Sequence, residues 1–150
     1  MTLLELIDGE QADYSEIVEH LRDVSVSAKN DLHELYRRIV FYLLINNTDD
    51  HLRNHGLLRS GSGWRLSPVF DVNPNPDKAS ARATSVFSEI EREAALTILS
   101  ANAHAFDLFS QDADKIHAEV SAALRAIESY AERAGIKKAE REFMLRTLGV

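Results

Sequence analysis

Apolar positions fall at helical spacing in the first and last thirds of this chain and lose that spacing in between. Ile17, Val18 and Leu21 form a short stripe, and Asp13 with Glu16 is a capping-box pair, so the spacing predicts a helix over 14–24. Leu32, Leu35, Tyr36, Ile39, Val40, Leu43 and Leu44 are the strongest periodic set and predict a core helix over 31–46. Asn30 is its expected N-cap, with Asp31 and Glu34 favourable in the first turn. Residues 46–55 are mostly polar, short or ionisable, a composition that buries itself only through specific hydrogen bonds. Leu57-Leu58-Arg59 and Trp64-Arg65-Leu66 flank Ser60-Gly61-Ser62-Gly63, the pattern of a β-hairpin. Pro68, Pro74 and Pro76 break regular structure after it. From Glu91 the helical spacing returns. Ala94, Ala95, Ile98 and Leu99 mark one helix. Ser110 is expected to cap a longer one, with a core stripe of Ile116, Val120, Ala123, Leu124, Ile127 and Tyr130 and Gly135 as its C′ residue. Residues 138–148 predict a last short helix. The fold class expected is therefore mainly α with one small β-hairpin, and the chain holds no internal repeat.

The chain has 150 residues, which predicts one domain. A composition of 45% hydrophobic and 27% charged residues is that of a globular chain and excludes a disordered one. No apolar run is long enough to span a bilayer, and the first residues lack the basic region of a secretory signal, so a cytoplasmic setting is expected. The absence of cysteine excludes disulfides, thiolate catalysis and cysteine-ligated zinc. The net charge of −7 is uneven. Residues 1–34 carry nine carboxylates and two cations, and the remainder is balanced. Direct nucleic-acid binding is not expected from an acidic front. That front is either a solvated helix face or a docking surface for a basic partner.

The chemistry concentrates in Asn46-Asn47-Thr48-Asp49-Asp50-His51-Leu52-Arg53-Asn54-His55-Gly56, which joins the core helix to the hairpin. Phosphoryl transfer needs a carboxylate to orient the attacking hydroxyl, and oxygen ligands to hold magnesium against the phosphates. Protein kinases supply these from a loop with an Asp and an Asn five positions on, then from an Asp after a short hairpin. Asn54 stands five residues after Asp49, and Asp71 follows the predicted hairpin.

The strings Asn-Thr-Asp-Asp-His-Leu-Arg-Asn-His-Gly and Trp-Arg-Leu-Ser-Pro-Val-Phe-Asp-Val-Asn-Pro resemble the C-terminal domain of HipA-type serine/threonine kinases, the toxins of bacterial toxin–antitoxin modules. The resemblance is dense over 31–76 and looser to the C-terminus, where it implies a helical lobe over 90–150. Residues 1–30 resemble the family's acidic helical lead-in. The resemblance implies that Asp49 is the catalytic base and that Asn54 and Asp71 are magnesium ligands. It places His51 at the heart of the loop as an orienting residue, and Arg53 where it meets a phosphate or a loop carboxylate. Asp50 is expected to hold loop backbone. ATP and Mg2+ in the complete enzyme, a protein substrate and a DNA-binding, HipB-like antitoxin are the implied ligands and partners.

The chain departs from a complete kinase in one respect. It contains no G-x-G-x-x-G and no lysine on a candidate strand ahead of the catalytic loop, so it resembles the C-lobe without the nucleotide-covering N-lobe. On that ground the chain alone is expected to show little kinase activity. The rival readings are a non-catalytic docking module for an antitoxin or a separate N-lobe, and a metal-dependent nuclease using Asp49, Asp50, Asp71 and His55. His51 and His55 could share a metal on a helix, but in a loop they are expected to hydrogen-bond. Trp64 reads as a packing anchor rather than a nucleic-acid stacking residue. Five arginines between 35 and 67 against two carboxylates suit a polyphosphate site or a solvated helix face.

Overall fold

The computed structural model describes residues 12–77 and 79–148, so the first eleven residues of the acidic lead-in lie outside the described ones. The fold is mainly α. In chain order it runs β1 (Ala12–Asp13), α1 (Tyr14–Val24), α2 (Ala28–Leu44), a 3-10 turn (Leu52–Asn54), β2 (Leu57–Ser60), β3 (Gly63–Leu66), β4 (Thr84–Ser85), α3 (Arg92–Ala101), a second 3-10 turn (Ala103–Phe106), α4 (Ser110–Arg125), α5 (Ile127–Arg133) and α6 (Lys138–Leu148). Among the described residues no helix is long and apolar enough to cross a membrane.

The capping box holds. Asp13 accepts from the Ser15 N–H at 2.8 Å, and Glu16 accepts from the Asp13 N–H at 3.3 Å. The central helix differs from its expected bounds. It starts at Ala28 behind Ser27, and Asn30 lies inside it, donating its amide to Ser27 Oγ at 2.9 Å. It ends at Leu44 because Asn46 turns left-handed, at φ +56°. The Asn47 N–H then reaches Tyr42 O at 2.8 Å and the Asn46 N–H reaches Leu43 O at 3.2 Å, which completes a Schellman motif. α2 is the spine of the core. Its Leu32, Leu35, Tyr36, Ile39, Val40 and Leu43 pack with Ile17 and Leu21 of α1, Leu99 of α3, Phe106, and Ile116 and Val120 of α4.

The hairpin pairs Leu57 with Leu66 and Arg59 with Trp64 in antiparallel register. Its turn places Gly61 at φ +57°, a backbone conformation that suits glycine. Asp31, 2% exposed on α2, clamps this hairpin to the helix. It accepts from the Leu66 N–H at 3.0 Å, Arg65 Nε at 2.9 Å and Ser25 Oγ at 2.6 Å. A short parallel pairing of β1 with β4, Ala12 opposite Thr84 and Asp13 opposite Ser85, was not expected from the sequence.

The predicted long C-terminal helix is two. Phe109 rather than Ser110 takes the N-cap position of α4, with no side-chain capping bond. At Ala126 the N–H bonds Ala123 O at 3.2 Å, tightening the last turn and ending α4 at Arg125. The register changes there and Tyr130 leaves the predicted core stripe, while Ala123, still within α4, lies on its exposed side. Tyr130 is 63% exposed, with the Arg133 guanidinium 4.5 Å from its ring centroid. Gly135 ends α5 at φ +78°, with its N–H on Glu132 O.

Candidate functional site

The carbonyls of the loop leaving α2 are held by donors from elsewhere in the chain. Each carbonyl from residue 46 to 50 has a named donor. Asn46 O accepts from the Asn75 N–H at 3.0 Å, Thr48 O from the Ala83 N–H at 2.9 Å, and Asn47 O from Arg82 Nη1 at 2.7 Å. Asp49 O accepts from Asn54 Nδ2 at 3.1 Å, and Asp50 O from Thr84 Oγ1 at 2.5 Å. Side chains reinforce these straps. Asn46 Nδ2 reaches Asn75 O at 2.8 Å, and Asn75 Nδ2 reaches Thr48 Oγ1 at 2.7 Å. Buried carbonyls need donors, and here the segment 75–84 and Asn54 supply them without regular structure.

Asp49 is exposed, between buried Thr48 and buried Asp50. Asn54 is buried at the end of the 3-10 turn, which the Asn54 N–H closes on His51 O at 2.8 Å. Its amide nitrogen bonds the Asp49 carbonyl, so the structure joins those two predicted residues directly. Asp71 is exposed, with φ +55° and its Oδ1 accepting from Asn73 Nδ2 at 3.0 Å. A left-handed non-glycine residue costs of order 1 kcal/mol and persists where its surroundings impose it. The segment bearing Asp71 is stapled to the 46–56 loop at both ends, by the Ser67 N–H on Gly56 O at 2.8 Å and the Asn75 N–H on Asn46 O. No hydrogen bond joins Asp71 to Asp49 or Asn54 among the described residues. Asn54 Oδ1 and the Asp71 carboxylate are hard oxygen donors of the kind magnesium takes alongside phosphates, so the residue types fit that ion.

His51 contributes its carbonyl to the 3-10 turn, and its ring makes no hydrogen bond among the described residues. The ring that bonds within the loop belongs to His55, whose Nε2–H donates to Asp50 Oδ2 at 3.1 Å. Tyr14, from the first position of α1, donates its hydroxyl to the same oxygen. Asp50 therefore holds two side chains through its carboxylate, while its carbonyl holds Thr84. Tyr14 packs edge-on to His55, with centroids 5.7 Å apart. Burial, then the Asp50 charge and its hydrogen bond, push the Tyr14 phenol well above its ordinary pKa, which keeps it a neutral donor. Burial and the Asp50 charge also raise Tyr42. Burial lowers the Arg82 guanidinium, against the attraction of Asp50. Sequence reasoning missed Tyr14, Arg82, Thr84 and Asn75. Of the missed features, only the helix-ending Asn46 carried a readable signal, asparagine at a C′ position.

The arginine excess is largely absorbed by the fold. Arg38 donates to Ser67 O at 2.7 Å and to Glu34 at 2.8 Å, and Arg65 pairs with Asp31. Arg37 pairs with Glu119 at 2.8 Å, and Arg59 lies 5.5 Å from the Trp64 ring centroid. Arg53 is exposed on the 3-10 turn beside Asn54. The two-metal nuclease reading asks for a cluster of carboxylates and histidines, and among the described residues no three His, Cys, Asp or Glu side chains assemble one.

A search of curated proteins finds no match for this chain. The family comparison matches residues 1–139 to the HipA-like C-terminal domain, across the loop, the hairpin and most of the helical lobe. The chain therefore belongs to the HipA-like C-terminal domain family.

Proposed function

We propose that this domain is the catalytic lobe of an ATP-dependent protein serine/threonine kinase acting in a toxin–antitoxin setting. Asp49 orients the acceptor hydroxyl and takes its proton on a carboxylate oxygen. Asn54 and Asp71 are the residues that would hold Mg2+, which when bound supplies charge neutralisation at the phosphates. The observation that carries the reading is the Asn54 bond to the Asp49 carbonyl. One side chain thereby braces the main chain of the base and keeps its other amide atom, an oxygen, for a cation. Asp49 is the exposed residue of a loop whose neighbours are locked, which suits a group that must reach a substrate hydroxyl. The protein substrate and a HipB-like antitoxin are the partners this reading calls for.

A docking-module reading draws on a different observation, the pairing of Arg37, Arg38, Arg59 and Arg65 within the domain. Calorimetry of Mg–ATP binding to the chain and to Asp71→Asn separates the two. The kinase reading expects binding that weakens by about tenfold or more in the variant, since one of few oxygen ligands loses its charge. No binding by the unmodified chain even after a kinase N-lobe is added back overturns the nucleotide reading for this domain and leaves docking.

A further inference from the structure

We infer that Asp50 is a positioning residue for Asp49 and that Tyr14, on a different element, is the partner through which it acts. The inference rests on the kinase reading above. Asp50 is 1% exposed, and a carboxylate is an expensive group to bury. An apolar side chain would fill the same space at lower cost, so packing alone does not account for it. Its Oδ2 takes the Tyr14 hydroxyl and the His55 Nε2–H, and its carbonyl takes Thr84 Oγ1.

These bonds close a circuit through three segments distant in sequence. Tyr14 grips the Asp50 side chain, Thr84 grips the Asp50 main chain, and Thr84 pairs with Ala12, two residues before Tyr14. The start of α1 is itself fixed, because Asp13 accepts from Ser85 Oγ at 2.6 Å and from the Ser88 N–H at 2.7 Å. Asp49 therefore has anchored peptides on both sides, through Thr48 O and Asp50 O, and its own carbonyl is held by Asn54. The fold leaves its side chain as the mobile part. Loosening Tyr14 shifts the Asp49 peptide, and with it Asn54, so the effect is readable as Mg–ATP affinity.

The test uses Tyr14→Phe, which removes the hydroxyl and keeps the ring, and Asp50→Asn. Ile17→Val, in the buried face of the same helix, is the stability control. Mg–ATP affinity is measured by calorimetry well below the unfolding temperature of each variant. Tyr14→Phe is expected to weaken binding about tenfold, the scale of one hydrogen bond to a charged group. Asp50→Asn is expected to weaken it at least as much, with the double variant falling short of the product of the two effects. Ile17→Val is expected to leave affinity unchanged. Should Tyr14→Phe bind as tightly as the unmodified chain, or Ile17→Val lose as much as Tyr14→Phe, the positioning role is refuted and the network is merely structural. If Asp50→Asn does not fold, Tyr14→Phe and the control decide alone. Where the chain alone does not bind, the same comparison is made with a kinase N-lobe added back, and an unmodified chain that still does not bind refutes the kinase reading instead, and the positioning role goes with it.

Discussion

Asp31→Ala is the substitution that best tests how the hairpin is held to the helix. The carboxylate serves the Leu66 N–H, Ser25 Oγ and Arg65 Nε together. Arg65 is 41% exposed, and ion pairs of that kind contribute about 0–1 kcal/mol. The larger cost lies with the Leu66 N–H, since a buried donor left unpaired costs about 1–3 kcal/mol, and the half-buried Ser25 hydroxyl adds less. Together these give a loss of about 3 kcal/mol, because neighbouring terms do not add in full. For a domain of this size that lowers the unfolding temperature by roughly 6–12 °C. Thermal unfolding followed by far-UV circular dichroism measures it, and Trp64, the chain's one tryptophan, reports the hairpin by fluorescence. Arg65→Ala is the internal comparison, expected to cost less than about 1 kcal/mol. Equal losses in the two variants would refute the reasoning, for then the ion pair and not the buried donors would be the clamp.

Two further substitutions probe the same architecture. In Gly63→Ala the new Cβ falls 2.6 Å from Val26 Cγ1 and 3.1 Å from Val24 O, so a destabilisation of about 1–3 kcal/mol is expected in chemical denaturation. Adding Val26→Ala should recover part of it, and no recovery would show that the Val24 carbonyl sets the cost. For Asp13, burial raises the carboxyl pKa, but hydrogen bonds from Ser15, Ser85 and Ser88 outweigh it and leave the group below its ordinary value. A folded pKa below the unfolded one gives stability that is present above the unfolded value and lost as pH falls through the folded one. The stability gap between the chain and Asp13→Asn is therefore expected to be widest at neutral pH and to close in acid, and a gap that widens on acidification would contradict the assignment.

The elements with a long apolar period were legible in the sequence. α1, α2 and the hairpin fall close to their expected positions because each buries one regular face. Two-residue strands have no period, so β1 and β4 gave no sign, yet their pairing ties the start of α1 to the loop. The long C-terminal helix was misread because Ile127 and Tyr130 continue the α4 stripe in sequence, whereas past the turn at Ala126 Ile127 still packs against the core and Tyr130 is exposed. Asp49, Asn54 and Asp71 were singled out as candidates by their spacing together with the preceding helix and the following hairpin. Their supports were not, since Tyr14 and Arg82 look like an ordinary helix aromatic and a solvated cation until the chain brings them to the loop.

Adjacent acids such as Asp49 and Asp50 read in a sequence as one solvated charge run, and the fold gives them opposite environments. Asp49 faces solvent, and Asp50 is sealed among Tyr14, His55 and Thr84. In extended backbone, successive side chains point to opposite sides. On the kinase reading proposed above, one residue would offer a carboxylate to the substrate while the next is gripped from behind. A segment without regular structure would otherwise belong to the least stable part of a domain. The paired acids are thus a division of labour, and the cost of burying Asp50 is what a steady Asp49 requires.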